Sequence, residues 1–342
     1  MRDTLRTKGS VRLARARRIW VRCAAQGVLT GRPSCRDKRG SSMGRDAVAL
    51  TDGGIETVLL LREGFDLPCF ASFPLVGDER GRAAIRRYFD PFLAMAQERG
   101  RPFVLDTATW RANPDWGMQL GYEADTLAAA NRDAVDLARQ LAEPYSDVTI
   151  NGVLGPRGDG YVVGERMTVD QAADYHSWQI GVLREAGAHR ITALTLSYLE
   201  EAIGVVQAAV SVGVPVVPSF TVEIDGRLPD GTSVADAVER VDRATGGAAD
   251  FFMLNCAHPT HIAAGLDDAP SLDRIGGLRV NASAPSHAKL DEADELDEAD
   301  PVALGRDTAA LRTMLPSIGL LGGCCGTDHR HVAEIIAAWD SA

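Results

Sequence analysis

The sequence predicts a (β/α)₈ barrel, in which eight parallel strands form a closed sheet surrounded by helices. Short apolar segments alternate with longer amphipathic segments eight times along the chain, at spacings typical of βαβ units. Eight is the number of strands that closes such a barrel. Polar and reactive residues follow the predicted strands, and barrels of this class carry their catalytic groups at that rim.

The elements follow from apolar periodicity and from the Gly, Pro, Asn and Asp residues that bound it. The predicted strands are Ala47 to Leu50, Pro102 to Asp106, Asp147 to Leu154, Ile191 to Leu196, Val214 to Phe220, Asp250 to Leu254, Arg274 to Val280 and Pro316 to Leu321. The predicted helices are Glu56 to Arg62, Glu79 to Arg99, Glu123 to Leu141, Thr168 to Gly187, Leu199 to Val212, Ser233 to Ala244 and a last helix that Thr327 or Asp328 caps.

Composition argues against several classes of protein. The chain has 342 residues, a net charge of −11 and six cysteines. It contains no apolar run of the roughly 18 residues that cross a bilayer, so a soluble protein without membrane contact is expected. The acidic body would repel phosphates, which argues against nucleic-acid binding. So few cysteines in a chain of this length do not indicate a disulfide scaffold, and we expect a reducing cytoplasm.

The first residues differ sharply from the rest. Residues 1–45 contain 13 basic and 2 acidic residues. Such a segment is typical of a transit peptide, a nucleic-acid arm or an upstream start codon that adds non-native sequence. We interpret residues 1–42 as a disordered or artefactual basic extension. Residues 43–342 are predicted to form the barrel as a single domain.

Two adjacent cysteines, Cys324 and Cys325, lie within a glycine-rich turn after the eighth predicted strand. Neighbouring Cα atoms are about 3.8 Å apart, which is too close for these two residues to form a disulfide readily. Both thiolates can instead reach one soft metal ion. Cys256 follows strand six at the same rim, and three thiolates with one open position describe a catalytic zinc site.

A metal-bound thiol loses its proton, so this site would prepare a sulfur nucleophile, and alkyl transfer to that sulfur is the simplest reaction. Two alternatives stay open: Cys256 is a small buried hydrophobic residue beside an incidental pair, or Cys324 and Cys325 have a redox role.

Other residues at the predicted rim are candidate substrate contacts. These are Asp52, Thr107, Glu223 and Asn281. Asp52 suits either a substrate ammonium or a helix cap, and Glu223 is similarly ambiguous. The histidines near the cysteines are His258, His329 and His331. Each suits a surface or capping role better than that of a fourth metal ligand. The acidic run Asp291 to Asp300 is interpreted as a solvated loop.

The ordered motifs Asp52-Gly53-Gly54, Asn255-Cys256 and Gly322-Gly323-Cys324-Cys325-Gly326 resemble the homocysteine S-methyltransferase family, which includes betaine-homocysteine methyltransferase and the homocysteine module of methionine synthase. The resemblance covers about residues 46–340. It implies a (β/α)₈ barrel in which Cys256, Cys324 and Cys325 bind zinc. It also implies that homocysteine thiolate takes the open position and attacks a donor methyl group, and that Asp52 belongs to the substrate pocket.

One position departs from the family pattern. Many members have a substrate-binding glutamate at the end of strand four, and the corresponding residue here is Leu194. Glu223 or Asp52 would compensate, or the acceptor would be a thiol other than homocysteine. A non-catalytic zinc or thiol-binding barrel is the second hypothesis. The chain length leaves no room for a cobalamin or folate module, so the expected donors are S-methylmethionine, S-adenosylmethionine or a betaine-like onium.

Overall fold

The computed structural model describes residues 48–285 and 299–342, and it confirms the closed barrel. Eight strands pair in parallel and in chain order, and the eighth pairs with the first. The strands are β1 (Ala49–Leu50), β2 (Phe103–Asp106), β3 (Val148–Leu154), β4 (Arg190–Leu196), β5 (Val216–Phe220), β6 (Phe252–Ala257), β7 (Ile275–Val280) and β8 (Leu320–Gly323). Each predicted strand corresponds to one of these.

Helices surround the sheet. They are α1 (Ile55–Thr57, continued by a π-helical turn over Val58–Arg62), α2 (Glu79–Glu98), α3 (Pro114–Gln119), α4 (Ala124–Ala142), α5 (Val169–Ala186), α6 (Leu199–Val212), α7 (Val234–Thr245), α8 (Pro259–Gly265), α9 (Pro301–Ala309) and α10 (His329–Ser341). The predicted helices are all present. The sequence analysis missed three short ones, α3, α8 and α9, whose first turns begin with proline after a capping residue.

Two strands extend further at their carboxyl ends than predicted, and β8 also begins later, at Leu320. Strand β6 continues through Cys256 to Ala257, and β8 continues through Gly322 and Gly323. Cys256 therefore lies within the last residues of a strand, where the prediction placed it beyond the strand end. Barrel closure extends both strands, because β7 pairs with Ala257 on one side and with Gly323 on the other.

The barrel interior consists of layers of side chains. Its lowest described layer is apolar and comes from five strands, with Ala49, Val104, Val217, Met253 and Leu320. Side chains two residues further along a strand point the same way and form the next layer, which is polar. This second layer includes Asp106, Ser219, Asn255 and Arg279. The interior thus changes from apolar to ionic just below the rim.

Arg279 is the central residue of the polar layer. Its guanidinium donates hydrogen bonds to Asp52, at 2.5 Å, and to Asp106 at the end of β2. It also donates to the carbonyl oxygens of Gly53 and Gly323, each at 3.0 Å. Burial lowers the pKa of Arg279, but the two carboxylates outweigh that effect and raise it above its ordinary value. Arg279 therefore fastens the ends of β1, β2 and β8 together.

Two interpretations from the sequence lie outside the described residues. These are the basic extension over residues 1–42 and nearly all of the acidic run from 291 to 300. Within the described part of the chain, no helix combines the length and apolar character needed to span a membrane.

The buried ion network predicts that Arg279→Met lowers the free energy of unfolding by about 3–5 kcal/mol, because Asp52 and Asp106 lose their shared cation inside the protein. Denaturant titration measures the change. The matched control is Arg243→Met, which removes a solvent-exposed pair with Glu239 and should cost no more than about 1 kcal/mol. Equal stability of the two variants would contradict the proposed role of Arg279.

Candidate metal centre

Cys256 reaches the rim through an irregular strand end. Its backbone adopts a φ of 55°, and the register between β6 and β7 shifts between Asn255 and Ala257. Left-handed backbone is uncommon for residues other than glycine and occurs where a side chain is re-aimed. Hydrogen bonds hold this conformation, since the Cys256 carbonyl oxygen accepts from Asn281 Nδ2 at 3.1 Å and from Thr221 Oγ1 at 3.4 Å.

The turn after β8 presents Cys324 and Cys325. The Cys324 amide donates to the Val280 carbonyl at 2.8 Å, and the Cys325 carbonyl accepts from Ala282 N at 3.1 Å. Thr327 closes the turn, because its amide and its hydroxyl both donate to the Cys324 carbonyl. The turn is therefore bound to the end of β7.

Gly54 allows the segment after β1 to pack against this turn. A Cβ atom at Gly54 would lie 2.5 Å from the Cys324 carbonyl oxygen, so a side chain there would displace the cysteine turn. Thr57 adds a contact, since its hydroxyl accepts from the Gly326 amide at 3.3 Å. The Asp52-Gly53-Gly54 motif thus has a structural reason to accompany the cysteine motif.

The structure brings the three predicted cysteine ligands together. All three Sγ atoms lie within 4.8 Å of one another. Cys256 and Cys324 form a disulfide, and Cys325 Sγ lies 3.9 Å from Cys256 Sγ. The adjacent pair does not bridge, as predicted. A bond between Cys256 and Cys324 was not predicted, because only the fold brings residues so distant in sequence into contact.

This donor set suits a soft, thiophilic ion. Three sulfurs converge at the end of a barrel, Cys256 is buried, and Cys324 and Cys325 are partly exposed. Such a set matches the three protein ligands of a zinc site that keeps one position open. Both disulfide sulfurs must be reduced to thiolates before all three can bind an ion.

The predicted substrate residues occupy different positions around the centre. Asn281 is connected directly to the cluster, because its Nδ2 donates a hydrogen bond to the Cys256 carbonyl oxygen. Its side-chain oxygen is buried with no partner among the described residues. The Thr107 hydroxyl hydrogen-bonds to the Thr109 hydroxyl and accepts from the Val153 amide. Glu223 is only partly buried, on the loop after β5, and burial raises its pKa.

The Asp52 carboxylate accepts hydrogen bonds from buried side chains and does not cap a helix. Its Oδ1 accepts from Arg279, and its Oδ2 accepts from the Tyr88 hydroxyl at 2.8 Å. Burial, together with the nearby charge of Asp106, raises the pKa of Asp52 to about 6 in spite of Arg279. The carboxylate is thus part of the ion network beneath the rim.

The end of β4 carries the departure noted in the sequence. Leu194 is buried and offers no polar atom beyond its backbone. The next residue, Thr195, has a φ of 61° at a register shift between β4 and β5. Its hydroxyl accepts from Trp110 Nε1 at 3.0 Å, and its amide donates to Asn255 Oδ1 at 2.9 Å. This strand end therefore supports the rim without supplying a carboxylate.

The three histidines take the predicted capping or surface positions, with His258 and His331 at helix caps and His329 exposed. His258 accepts from the Thr260 amide at the start of α8. Asp328 caps α10, and His331 contacts its carboxylate at 3.0 Å. Burial raises the pKa of Asp328, but hydrogen bonds from His331 and Arg330 and the charge of Arg62 outweigh it and hold the pKa below its usual range. The group of cysteines that could hold a metal includes no histidine among the described residues.

Sequence reasoning missed three residues near the centre. The Tyr161 hydroxyl lies 3.9 Å from Cys325 Sγ. Arg111 is fully buried between Trp110 and Trp116, with its guanidinium carbon 4.0 Å from each ring centroid. Burial lowers the pKa of Arg111 to about 10.

Glu56 is the third missed residue. It accepts a hydrogen bond from Ser72 at 2.8 Å, and burial raises its pKa to about 7. The sequence held one usable signal for it, a carboxylate in the first turn of a helix that continues with the apolar residues 58–61.

Comparisons with known proteins agree with this geometry. The chain from residue 49 to residue 339 matches the family model described as homocysteine S-methyltransferase. No curated protein sequence matches the chain. Among solved structures, the metallated form of the homocysteine methyltransferase MmuM from Escherichia coli is similar, with 20% identity and a TM-score of 0.64 over 87% of this chain and 96% of that chain.

The oxidized form of the same Escherichia coli protein gives 20% identity and a TM-score of 0.65, over 85% of this chain and 96% of that chain. At this identity the structural likeness shows a shared fold. The family model spans the whole barrel and includes all three converging cysteines. The chain therefore belongs to the homocysteine S-methyltransferase family, and the protein is a methyltransferase.

Proposed function

We propose that the protein is a zinc-dependent S-methyltransferase that moves a methyl group from a small donor to the thiol of homocysteine, which gives methionine. The observation that carries the proposal is the convergence of Cys256, Cys324 and Cys325 at the carboxyl ends of the strands. Family membership supports the reaction class, thiol S-methyl transfer. We further propose homocysteine as the acceptor, zinc as the metal and methionine biosynthesis as the pathway.

The three cysteines would hold the zinc. When bound there, the ion would keep a coordinated substrate thiol in its thiolate form at neutral pH. The protein's own contribution is to fix the sulfurs, because bulged strand β6 and the turn after β8 set their positions before any ligand arrives.

The reaction requires no general base from the chain once the acceptor is a thiolate. The sulfur would attack the donor's methyl carbon while the bond from that carbon to the donor heteroatom breaks. The electron pair of the broken bond stays on the heteroatom, so a positively charged donor leaves as a neutral molecule. S-methylmethionine, S-adenosylmethionine and betaine-like onium compounds all fit this balance.

Several residues are proposed to surround the substrates. Asn281 is the strongest candidate, since its buried and unpartnered side-chain oxygen needs a hydrogen-bond donor and lies beside the Cys256 carbonyl. Asp52, Thr107 and Glu223 are retained as further candidates for the pocket. Asp52 and Thr107 would shape it through internal hydrogen bonds.

The active state is proposed to be fully reduced. With Cys256 and Cys324 joined, the centre lacks two of its three thiolates. We therefore place the working protein in the cytoplasm, where thiols are kept reduced.

A second function is a zinc or thiol-binding barrel without turnover. Buried Leu194 favours it, because the family resemblance places a substrate-binding glutamate at this position. The two functions differ in one measurement. Calorimetry with homocysteine on zinc-loaded protein would show saturation in both cases, whereas methionine would form with a suitable donor only if the protein is a catalyst.

We predict that Cys324→Ala abolishes both stoichiometric zinc binding and methyl transfer, because two thiolates do not form the three-ligand site. Zinc content after dialysis and methionine formation across the three donor types provide the measurements. Cys69→Ala is the matched control, since Cys69 lies outside the cluster. Turnover that survives complete removal of zinc would exclude the proposal.

We also predict that the isolated protein in its oxidised form binds no zinc at this centre and gains activity only after reduction followed by zinc addition. Zinc titration before and after treatment with a reductant tests the order of the two steps. Full zinc occupancy with the Cys256–Cys324 bond intact, judged by mass spectrometry of alkylated peptides, would contradict the assignment of these ligands.

A further inference from the structure

Glu56 differs from the other carboxylates near the metal centre in its surroundings. Asp52 and Asp106 share Arg279. Asp328 pairs with Arg330 and with Arg62. Glu56 instead accepts a hydrogen bond from the Ser72 hydroxyl, and no basic side chain of the described chain forms an ion pair with it.

The position of Glu56 relates it directly to the cysteine turn. It stands between Gly54, whose backbone packs on the Cys324 carbonyl, and Thr57, whose hydroxyl accepts from the Gly326 amide. The charges of Asp52, Arg279 and Arg111 act on the Glu56 carboxylate. Arg111 also interacts electrostatically with Tyr161, whose hydroxyl lies 3.9 Å from Cys325 Sγ. Glu56 therefore borders the same end of the barrel as the sulfurs.

The two arginines whose charges reach Glu56 already have other acidic neighbours. Arg279 pairs with Asp52 and Asp106, and the charge of Asp159 acts on Arg111. A partly buried carboxylate without a cation is unfavourable in its charged form, and burial accordingly raises the pKa of Glu56 to about 7. The site would accept a positively charged group that hydrogen-bonds to a carboxylate.

We propose that Glu56 determines acceptor specificity by binding the α-ammonium of an amino-acid thiol whose sulfur lies at the cysteine cluster. The inference rests on the proposed function, because it assigns a contact to that reaction's acceptor. Glu56 would supply the carboxylate that Leu194 lacks, from the end of β1. An ammonium offers N–H donors and suits a carboxylate paired with a serine hydroxyl, whereas a methylated onium offers none.

The first test uses turnover by the reduced, zinc-loaded protein. Homocysteine is compared with 4-mercaptobutanoate, which has the same thiol and carboxylate but no amino group. In Glu56→Gln, kcat/KM for homocysteine should fall by about 30-fold or more, while the value for 4-mercaptobutanoate should change by less than about threefold, as expected for loss of one buried charge pair. An equal loss for both thiols, or no loss for homocysteine, would overturn the assignment.

Glu63→Gln is the matched control, because it removes the same charge from the same segment at a surface pair with Arg87 and should leave both values unchanged. Binding of the methyl donor is tested separately from binding of the acceptor. If Glu56→Gln raises KM for S-methylmethionine and not for homocysteine, the carboxylate binds the ammonium of the donor and the proposal is wrong.

A second test needs neither metal nor turnover. The reduced, metal-free protein is titrated calorimetrically with L-methionine and with 4-(methylsulfanyl)butanoate, which lacks the amino group. Methionine should bind at least about tenfold more tightly, and Glu56→Gln should remove that preference. If the protein methylates no thiol but this preference is present, the proposed function fails and the Glu56 assignment stands. If methylation occurs and the preference is absent, the proposed function stands and the Glu56 assignment fails.

A third test follows from proton linkage. The folded-state pKa of Glu56, about 7, lies above its ordinary value of 4.5, so the folded state binds the extra proton and stability falls as pH rises from about 4.5 to 7. Glu56→Gln should therefore have a higher Tm than the unaltered protein at pH 8, and this difference should vanish near pH 4.5. An unchanged or lower Tm at pH 8 would show that Glu56 already has a partner.

Discussion

The structure depends on one buried guanidinium. Arg279 lies in the polar layer of the barrel interior and donates to Asp52, Asp106 and two backbone carbonyls. A charge removed from water is tolerated only when its partners replace the lost hydration, and here the partners belong to the ends of β1, β2 and β8. The same strand ends carry the Asp-Gly-Gly segment and the cysteine turn. The ionic contact thus supports the cysteine turn after β8, while hydrogen bonds from Asn281 and Thr221 hold Cys256.

Irregular backbone then aims the side chains. Cys256 and Thr195 both have a positive φ at register shifts of neighbouring strands, and a hydrogen bond from Thr195 N to Asn255 connects the two. A regular strand would alternate its side chains strictly between the interior and the helices. The shifts release these residues from that alternation. The rim therefore combines a rigid ionic layer with two local distortions that present a sulfur and a hydroxyl.

The electrostatics of the rim bear on which molecules it accepts. Leu194 leaves the end of β4 without a carboxylate, while Glu56 places one just after β1, where it accepts a hydrogen bond from Ser72 and forms no ion pair with a basic side chain of the described residues. A family reaction can be preserved in this way when a charge moves from one strand end to another, because a bound substrate responds to the position of the charge and not to the strand that supplies it.

The sequence alone predicted the strand order, most helices and the three cysteines that converge at the rim. These depend on local patterns: apolar segments between turn residues, and a glycine-rich turn with paired thiols after a strand. It did not determine the bond between Cys256 and Cys324, the extended ends of β6 and β8, or the Arg279 network. Each of those requires residues far apart in the chain to meet inside a closed barrel. Only the tertiary structure decides such contacts, because barrel closure sets the register that brings their side chains together.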